Sequence, residues 1–330
     1  MESAGIAQRT TPPVGAPAEH PSPVRPGEHR EPLSEGSAHL ARAGALQVAR
    51  DYLALTKPRI ISLLLVTTVA TMFVADPSGP ALSVVLWTML GGYLAAGGAG
   101  AINHYVDRDR DARMARTRGR PLVAGRIQPV HGLIFGIVLG ALAAIQLALT
   151  VNVLSAVLAL AGLLGYVLVY TVWLKPLTPQ NIVIGGAAGA MPPLVGWAAA
   201  TGSLTLNSLY PFAIVFLWTP PHFWALSLLI KDDYARTGVP MLPVVKGDAV
   251  TRRRILAYSI VLTAFTVLPW ATGLFGVAYL MTALALGGVF VALAVRLALR
   301  PTRAAALRLY LSSLAYLALL FSAMALDRVL

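Results

Sequence analysis

Asn103, Asp107 and Asp111 set one carboxamide and two carboxylates at every fourth position of the run Asn103-His-Tyr-Val-Asp107-Arg-Asp109-Arg-Asp111. On a helix this spacing stacks the three groups along one face, and Asp109 points elsewhere. The chain has only 14 Asp and Glu in 330 residues, and three of them fall between positions 107 and 111. Acids this close repel one another unless a cation joins them, and oxygen donors of this kind suit a hard divalent metal. The arginines that follow, among them Arg116 and Arg120, offer guanidinium groups to phosphate oxygens. Carboxylates for a metal beside guanidiniums for phosphate point to a phosphorylated substrate held through a metal bridge.

A second acidic run, Lys231-Asp232-Asp233-Tyr234-Ala-Arg236, leads into Val239-Pro240-Met241 much as the first leads into Arg120-Pro121-Leu122. The parallel suggests an old duplication. Two opposed acidic loops would each hold a metal ion against one diphosphate. The plainer alternative is that Asp232 and Asp233 pair with Lys231 and Arg236 at a helix end.

Polar side chains inside apolar stretches form a third group, because burying them in lipid is costly. Tyr166, Tyr170 and Lys175 close one such stretch, and Asn181 opens the next, which is rich in small residues and interrupted by Pro192-Pro193. Trp218-Thr-Pro220-Pro221-His222-Phe223-Trp224 sits in another. A neutral imidazole there is a candidate proton donor or iron ligand; the aromatics otherwise read as interfacial belt residues. Lys57 and Arg59 read most simply as positive anchors ahead of the first apolar stretch.

The elements that must carry these groups are membrane spans. Hydrophobic residues make up 57% of the chain and charged ones 12%, with mean hydropathy +0.69, the profile of an integral membrane protein. Nine apolar segments approach the roughly 20 residues a spanning helix needs: about 60–76, 82–102, 131–150, 152–173, 181–200, 208–230, 255–272, 274–296 and 305–326. Short connections such as Asp76-Pro-Ser-Gly-Pro80 make successive helices antiparallel neighbours in an all-α bundle. The net charge of +12 lies in alternate loops and reads as a topology signal rather than a nucleic-acid surface. It places the N-terminus and both acidic loops in the cytoplasm and the C-terminus outside. Cysteine is absent, which excludes disulfides, zinc–thiolate sites and cysteine nucleophiles. Residues 1–48, rich in proline and poor in bulky apolar side chains, are expected to be a disordered cytoplasmic tail. Residues 49–330 would form the nine-helix domain.

Taken together, the N-x-x-x-D-x-x-x-D motif after span two, the second acidic motif after span six and nine spans resemble the UbiA superfamily of intramembrane prenyltransferases. Leu55-Thr-Lys57-Pro-Arg59, Asn181-Ile-Val-Ile-Gly-Gly, Thr219-Pro-Pro-His-Phe-Trp224 and Lys231-Asp-Asp-Tyr-Ala-Arg236 resemble its haem-modifying branch, and the likeness runs from about Tyr52 to the last span. Two departures stand out. Asp232 is followed four residues on by Arg236 rather than by an acid, and Pro176 stands where the family pattern has a basic residue. The resemblance implies transfer of a farnesyl group from farnesyl diphosphate to a vinyl group of haem b, with water addition giving haem O and diphosphate released. It implies Mg²⁺ held by Asn103, Asp107, Asp111, Asp232 and Asp233. It assigns Arg116, Arg120, Lys175, Lys231 and Arg236 to the diphosphate, Tyr170 to the allylic cation, and His222 and Trp224 to the haem. Haem b would be a substrate, not a resident cofactor, and the product would pass to a haem A synthase or terminal-oxidase assembly. Prenylation of an aromatic or quinone precursor would use the same aspartates. From a different class, an anionic-lipid transporter could use broken helices, but it should gather its polar groups near the midplane.

Overall fold

Proline and glycine punctuate a chain otherwise made of helix formers, and the helices begin and end beside them. The computed structural model describes the backbone from Glu35 to Leu330 and side chains from Gly44. Its helices are α1 (Glu35–Thr56), α2 (Pro58–Ala75), α3 (Leu82–Ala112), α4 (Pro129–Thr150) and α5 (Val153–Leu164). The last continues through a π-helical segment (Gly165–Leu174) into the single turn α6 (Lys175–Leu177). Then come α7 (Asn181–Gly189), α8 (Met191–Thr201), α9 (Leu209–Leu229), α10 (Lys231–Arg236), α11 (Leu242–Val245), α12 (Gly247–Phe265), α13 (Leu268–Ala271), α14 (Val277–Leu299) and α15 (Arg303–Val329). Among the described residues, nine runs are long and apolar enough to cross a membrane.

Local chemistry explains the boundaries. Pro58 and Pro129 occupy first-turn positions, where their missing N–H costs nothing. The Asn152 side chain caps α5 by accepting from Ser155 N at 2.8 Å, and Thr302 caps α15 in the same way. Asp327, near the end of α15, accepts from Gly276 N (2.6 Å) and Tyr279 N (3.0 Å). A carboxylate thus meets the positive end of α14.

The faces that pack are the small ones. In α4, Gly132, Gly136, Gly140, Ala143 and Leu147 are buried, whereas Ile134, Ile137, Val138, Leu142, Ile145 and Leu149 are exposed to the surroundings. Lipid is as apolar as leucine, so packing follows close backbone approach rather than hydrophobicity. A Cβ on Gly98 of α3 would lie 2.6 Å from the Gly136 carbonyl oxygen, which fixes the α3–α4 contact. The largest core joins α9, α12, α14 and α15 around Ile214, Ile255, Tyr279, Phe290, Leu309 and Phe321.

Two expectations change here. The second span does not end at 102: α3 runs on to Ala112, so the first acidic motif belongs to its last turns. Helix also begins at Glu35, inside the stretch expected to be disordered to 48, because the prolines stop at Pro32 and an Ala- and Leu-bearing run follows. The remainder of that expectation, residues 1–34, lies outside the described residues.

Candidate active site

The last three turns of α3 bring Asn103, Asp107 and Asp111 onto one buried face, at 4%, 2% and 5% exposure. Their neighbours are cations from three other segments. Asp107 Oδ2 accepts from Lys175 Nζ at 2.5 Å and from Asn103 Nδ2 at 2.8 Å, and its Oδ1 accepts from Arg110 at 3.1 Å. Asp111 is paired with Arg120, and its carbonyl accepts from Thr117 Oγ1. Lys57 Nζ donates to Asn103 Oδ1 at 2.6 Å. Lys57, Arg110, Arg120 and Lys175 therefore outnumber the two carboxylates, and the Lys57 ammonium rests on a neutral amide. A buried cluster with more cations than carboxylates is suited to an anion.

Lys57 is the residue that the sequence left among simple anchors. It is the only described non-glycine residue with positive φ (59°). That left-handed backbone turn between α1 and α2 carries its side chain inward rather than to the membrane surface. Burial, reinforced by Arg120 and Lys175 and opposed by Asp107 and Asp111, pushes its pKa down to about 7. Its position before Pro58 was the available signal: the α-helical conformation is disfavoured there.

The second acidic run meets the first through Tyr234. Burial raises the Tyr234 phenol; Asp107 and Asp233 add to the effect, and Arg116 and Arg120 oppose it. The ring thus feels charges from both runs. The two adjacent acids of α10, expected as metal ligands, stand in different surroundings. Asp233 is largely buried and paired with Arg236, while Asp232 is exposed, because adjacent residues on a helix face different ways. Lys231, expected at the diphosphate, instead donates to Asp248 at 2.8 Å. Arg116 is exposed at the rim.

Below the charged cluster lies a cavity of about 520 Å³, lined largely by apolar groups and bounded by Lys57, Tyr166, Tyr170, Gly185, Trp218 and His222, among others. The Tyr166 and Tyr170 rings lie with centroids 5.4 Å apart, tilted by 30° to one another. Gly185 of α7 makes room for Tyr170, since a Cβ there would come within 2.9 Å of its Cγ. On the far wall, His222 stacks on Trp218 (4.2 Å) and Tyr310 (4.9 Å), and its Nδ1 lies 2.6 Å from Ser313 Oγ. The Ser313 hydroxyl already donates to the Tyr310 carbonyl at 2.6 Å, so it can only accept from the imidazole. Nδ1 then carries the proton, and Nε2 keeps a free lone pair. Trp224, expected on the haem side, is fully buried in the core, edge-on to Tyr258, and does not line the cavity. Two positions past His222, it turns to another helix face.

Comparison with known proteins shows the family and the fold. The model of the UbiA prenyltransferase family matches residues 64–321. A protein named protoheme IX farnesyltransferase from Roseiflexus sp. (strain RS-1) is 53% identical over 301 residues, covering 88% of this chain and 56% of that protein. One of the same name from Symbiobacterium thermophilum is 55% identical over 283 residues, covering 85% of this chain and 95% of that protein. The chain spans about half the length of the Roseiflexus relative and of another from Chloroflexus aurantiacus (48%). Among solved structures, a digeranylgeranylglyceryl phosphate synthase superposes with TM-score 0.71 at 17% identity, covering 85% of this chain and 98% of that one. A UbiA homolog from Archaeoglobus fulgidus bound to DMAPP and Mg²⁺ gives 0.59 at 16%, covering 83% and 99%. At such identities the likeness is one of fold.

Proposed function

Since the chain belongs to the UbiA prenyltransferase family and is a multi-pass membrane protein, we propose that it converts haem b to haem O with farnesyl diphosphate as the donor. The observation that carries this reading is the continuity of a cation-rich pole with an apolar cavity through one residue, Lys57, which lines the cavity and donates to Asn103. The Thr219-Pro-Pro-His-Phe-Trp224 run and relatives of about half identity that carry the farnesyltransferase name support haem as the acceptor.

In this reading Lys57, Arg120 and Lys175 bind the diphosphate, with Arg116 and Arg236 at the rim, while the farnesyl chain lies in the cavity. The donor set suits a divalent cation. The Asn103 oxygen and the Asp107 carboxylate already accept from ammonium groups at 2.6 and 2.5 Å, positions that a hard cation could share. Asn103, Asp107 and Asp111, with Asp233 from α10, would hold Mg²⁺, which when bound supplies charge neutralisation on the leaving diphosphate. The cations draw off the electron pair as the allylic C–O bond breaks. The faces of Tyr166 and Tyr170 stabilise the resulting cation. The vinyl group of haem b supplies the electrons for the new C–C bond. Water then adds to the cation left beside the porphyrin and loses a proton, giving the hydroxyethylfarnesyl group. The apolar cavity wall limits earlier capture by water. His222, with Nε2 free, is the candidate contact to haem. Residues 49–330 form the catalytic domain, with the acidic runs on the cytoplasmic side and the C-terminus outside.

The test is haem extraction and mass spectrometry on membranes that carry the protein, supplied with haem b, farnesyl diphosphate and Mg²⁺. Haem O that disappears on chelation is expected. Prenylation of an aromatic acceptor in its place would move the protein to a sister branch of the family.

A further inference from the structure

Thr171 is fully buried, and its hydroxyl donates to the Tyr166 carbonyl at 2.8 Å, five residues back. A hydroxyl has one proton. Towards Asn103 it can therefore only accept, and Asn103 Nδ2 lies 3.2 Å away. The same amide group donates to Asp107 Oδ2. Both Asn103 N–H groups are thus committed to the protein, and Oδ1 is turned towards Lys57. The orientation of this carboxamide is set by its neighbours, as for ligand residues held by outer contacts.

The backbone delivers Thr171 there by an unusual route. Residues Gly165–Leu174 are π-helical, and Lys175 N bonds the carbonyl of Tyr170, five residues back. The wider turn returns to one face every four to five residues, which aligns Tyr166, Tyr170, Thr171 and Lys175. In an α-helix, at about 100° per residue, Thr171 and Lys175 would stand roughly 140° and 180° from Tyr166. Trp173 would then turn towards the site instead. Observed, Trp173 is exposed and Thr171 buried.

We infer that Thr171, placed by the π-helical register, is a positioning residue that keeps the Asn103 carboxamide oxygen directed at the metal–diphosphate position. The inference rests on the metal-and-diphosphate reading above. Asp107 alone holds the amide only while its Oδ2 is free to accept; a cation drawn to that carboxylate competes for the same oxygen, and Thr171 then maintains the orientation.

The test uses the full chain in detergent, with two readouts. One is the Mg²⁺ concentration for half-maximal turnover. The other is Mn²⁺ binding by electron paramagnetic resonance in the presence of unreactive farnesyl thiodiphosphate. Thr171→Val should weaken both by about tenfold, within the range for outer contacts of metal ligands. Turnover at saturating metal should stay near that of the parent, and Thr171→Ser should restore both values. In an Asn103→Ala background, Thr171→Val should have no further effect on Mn²⁺ affinity. If Thr171→Val does not accumulate, Thr171→Ala takes its place against the same serine rescue. Unchanged Mn²⁺ affinity in Thr171→Val, with affinity lost in Asp107→Ala, would overturn the role of Thr171 and leave the metal site standing. Equal weakening in the valine and serine variants would reduce Thr171 to packing. Full Mn²⁺ affinity in Asp107→Ala would remove the metal reading and this inference with it.

Discussion

The turn-rich segment from Arg113 to Gln128 carries Arg116 and Arg120, yet the group that anchors it lies in α1. Arg126 Nε donates to both oxygens of Asp51, at 3.1 and 2.9 Å, and its NH2 donates to the Gly119 carbonyl at 3.2 Å. Asp51 is buried, with 7% of its side chain exposed, while 41% of the Arg126 side chain is open to solvent. Arg126 lowers the Asp51 carboxyl below the usual range, and Asp51 raises Arg126. A charge-assisted bond of this kind is worth about 1.5–3 kcal/mol; solvent on the arginine side brings the expectation down to about 1–2 kcal/mol. Asp51→Asn should therefore loosen the segment and raise KM for farnesyl diphosphate by roughly 5–30-fold, at 1.4 kcal/mol per tenfold. Turnover at saturation should change little, because Asp107 and Lys175 are untouched. Exchanging the two charges, Asp51→Arg with Arg126→Asp, should recover part of the loss. The sign of the pH dependence is fixed by the depressed carboxyl. The latch is fully present above the ordinary carboxylate range and is lost only as pH falls through the lower folded value. The latch should therefore add no change in KM between pH 6 and 9. Steady-state kinetics in detergent provide the assay. A parental KM in folded Asp51→Asn, or no recovery on charge exchange, would refute the latch.

Asp107→Ala and Asp111→Ala should each cut turnover by at least about 10²-fold while the protein still inserts, since each removes a buried oxygen donor; near-normal haem O formation in membranes would contradict their assignment. Ser313→Ala frees the His222 tautomer and should weaken haem b binding about tenfold, read as a smaller absorbance change on titration with unchanged farnesyl diphosphate binding. Gly185→Val drives a side chain into Tyr170 and should abolish product formation, with thermal stability falling by about 1–3 kcal/mol; full activity would show that the Tyr170 position is not needed. Gly98→Leu meets the Gly136 backbone, which cannot yield as a side chain can, and should prevent accumulation of folded protein, seen as loss of the monodisperse peak on size exclusion.

The spans were legible because length and hydrophobicity alone decide whether a helix can cross a bilayer, and all nine lie near their expected places. The period of four that aligns Asn103, Asp107 and Asp111 was also local, and α3 preserves it to Ala112. The pairings were not legible. Lys231 pairs with Asp248, Trp224 faces the core, and Lys57 reaches Asn103 across 46 positions of sequence. In a membrane both the packed and the lipid faces of a helix are apolar, so hydrophobic periodicity does not say which side meets a neighbour. Close approach at Gly98 and Gly136 decides that, through shape. The π-helical register of Gly165–Leu174 is further from view, because its residues are almost uniformly apolar and no local preference marks a wider turn. Composition determined that this chain is a bundle in a bilayer with acidic and basic groups at one pole. Only tertiary packing decided which cations stand beside which carboxylates, because those contacts join segments far apart in the chain.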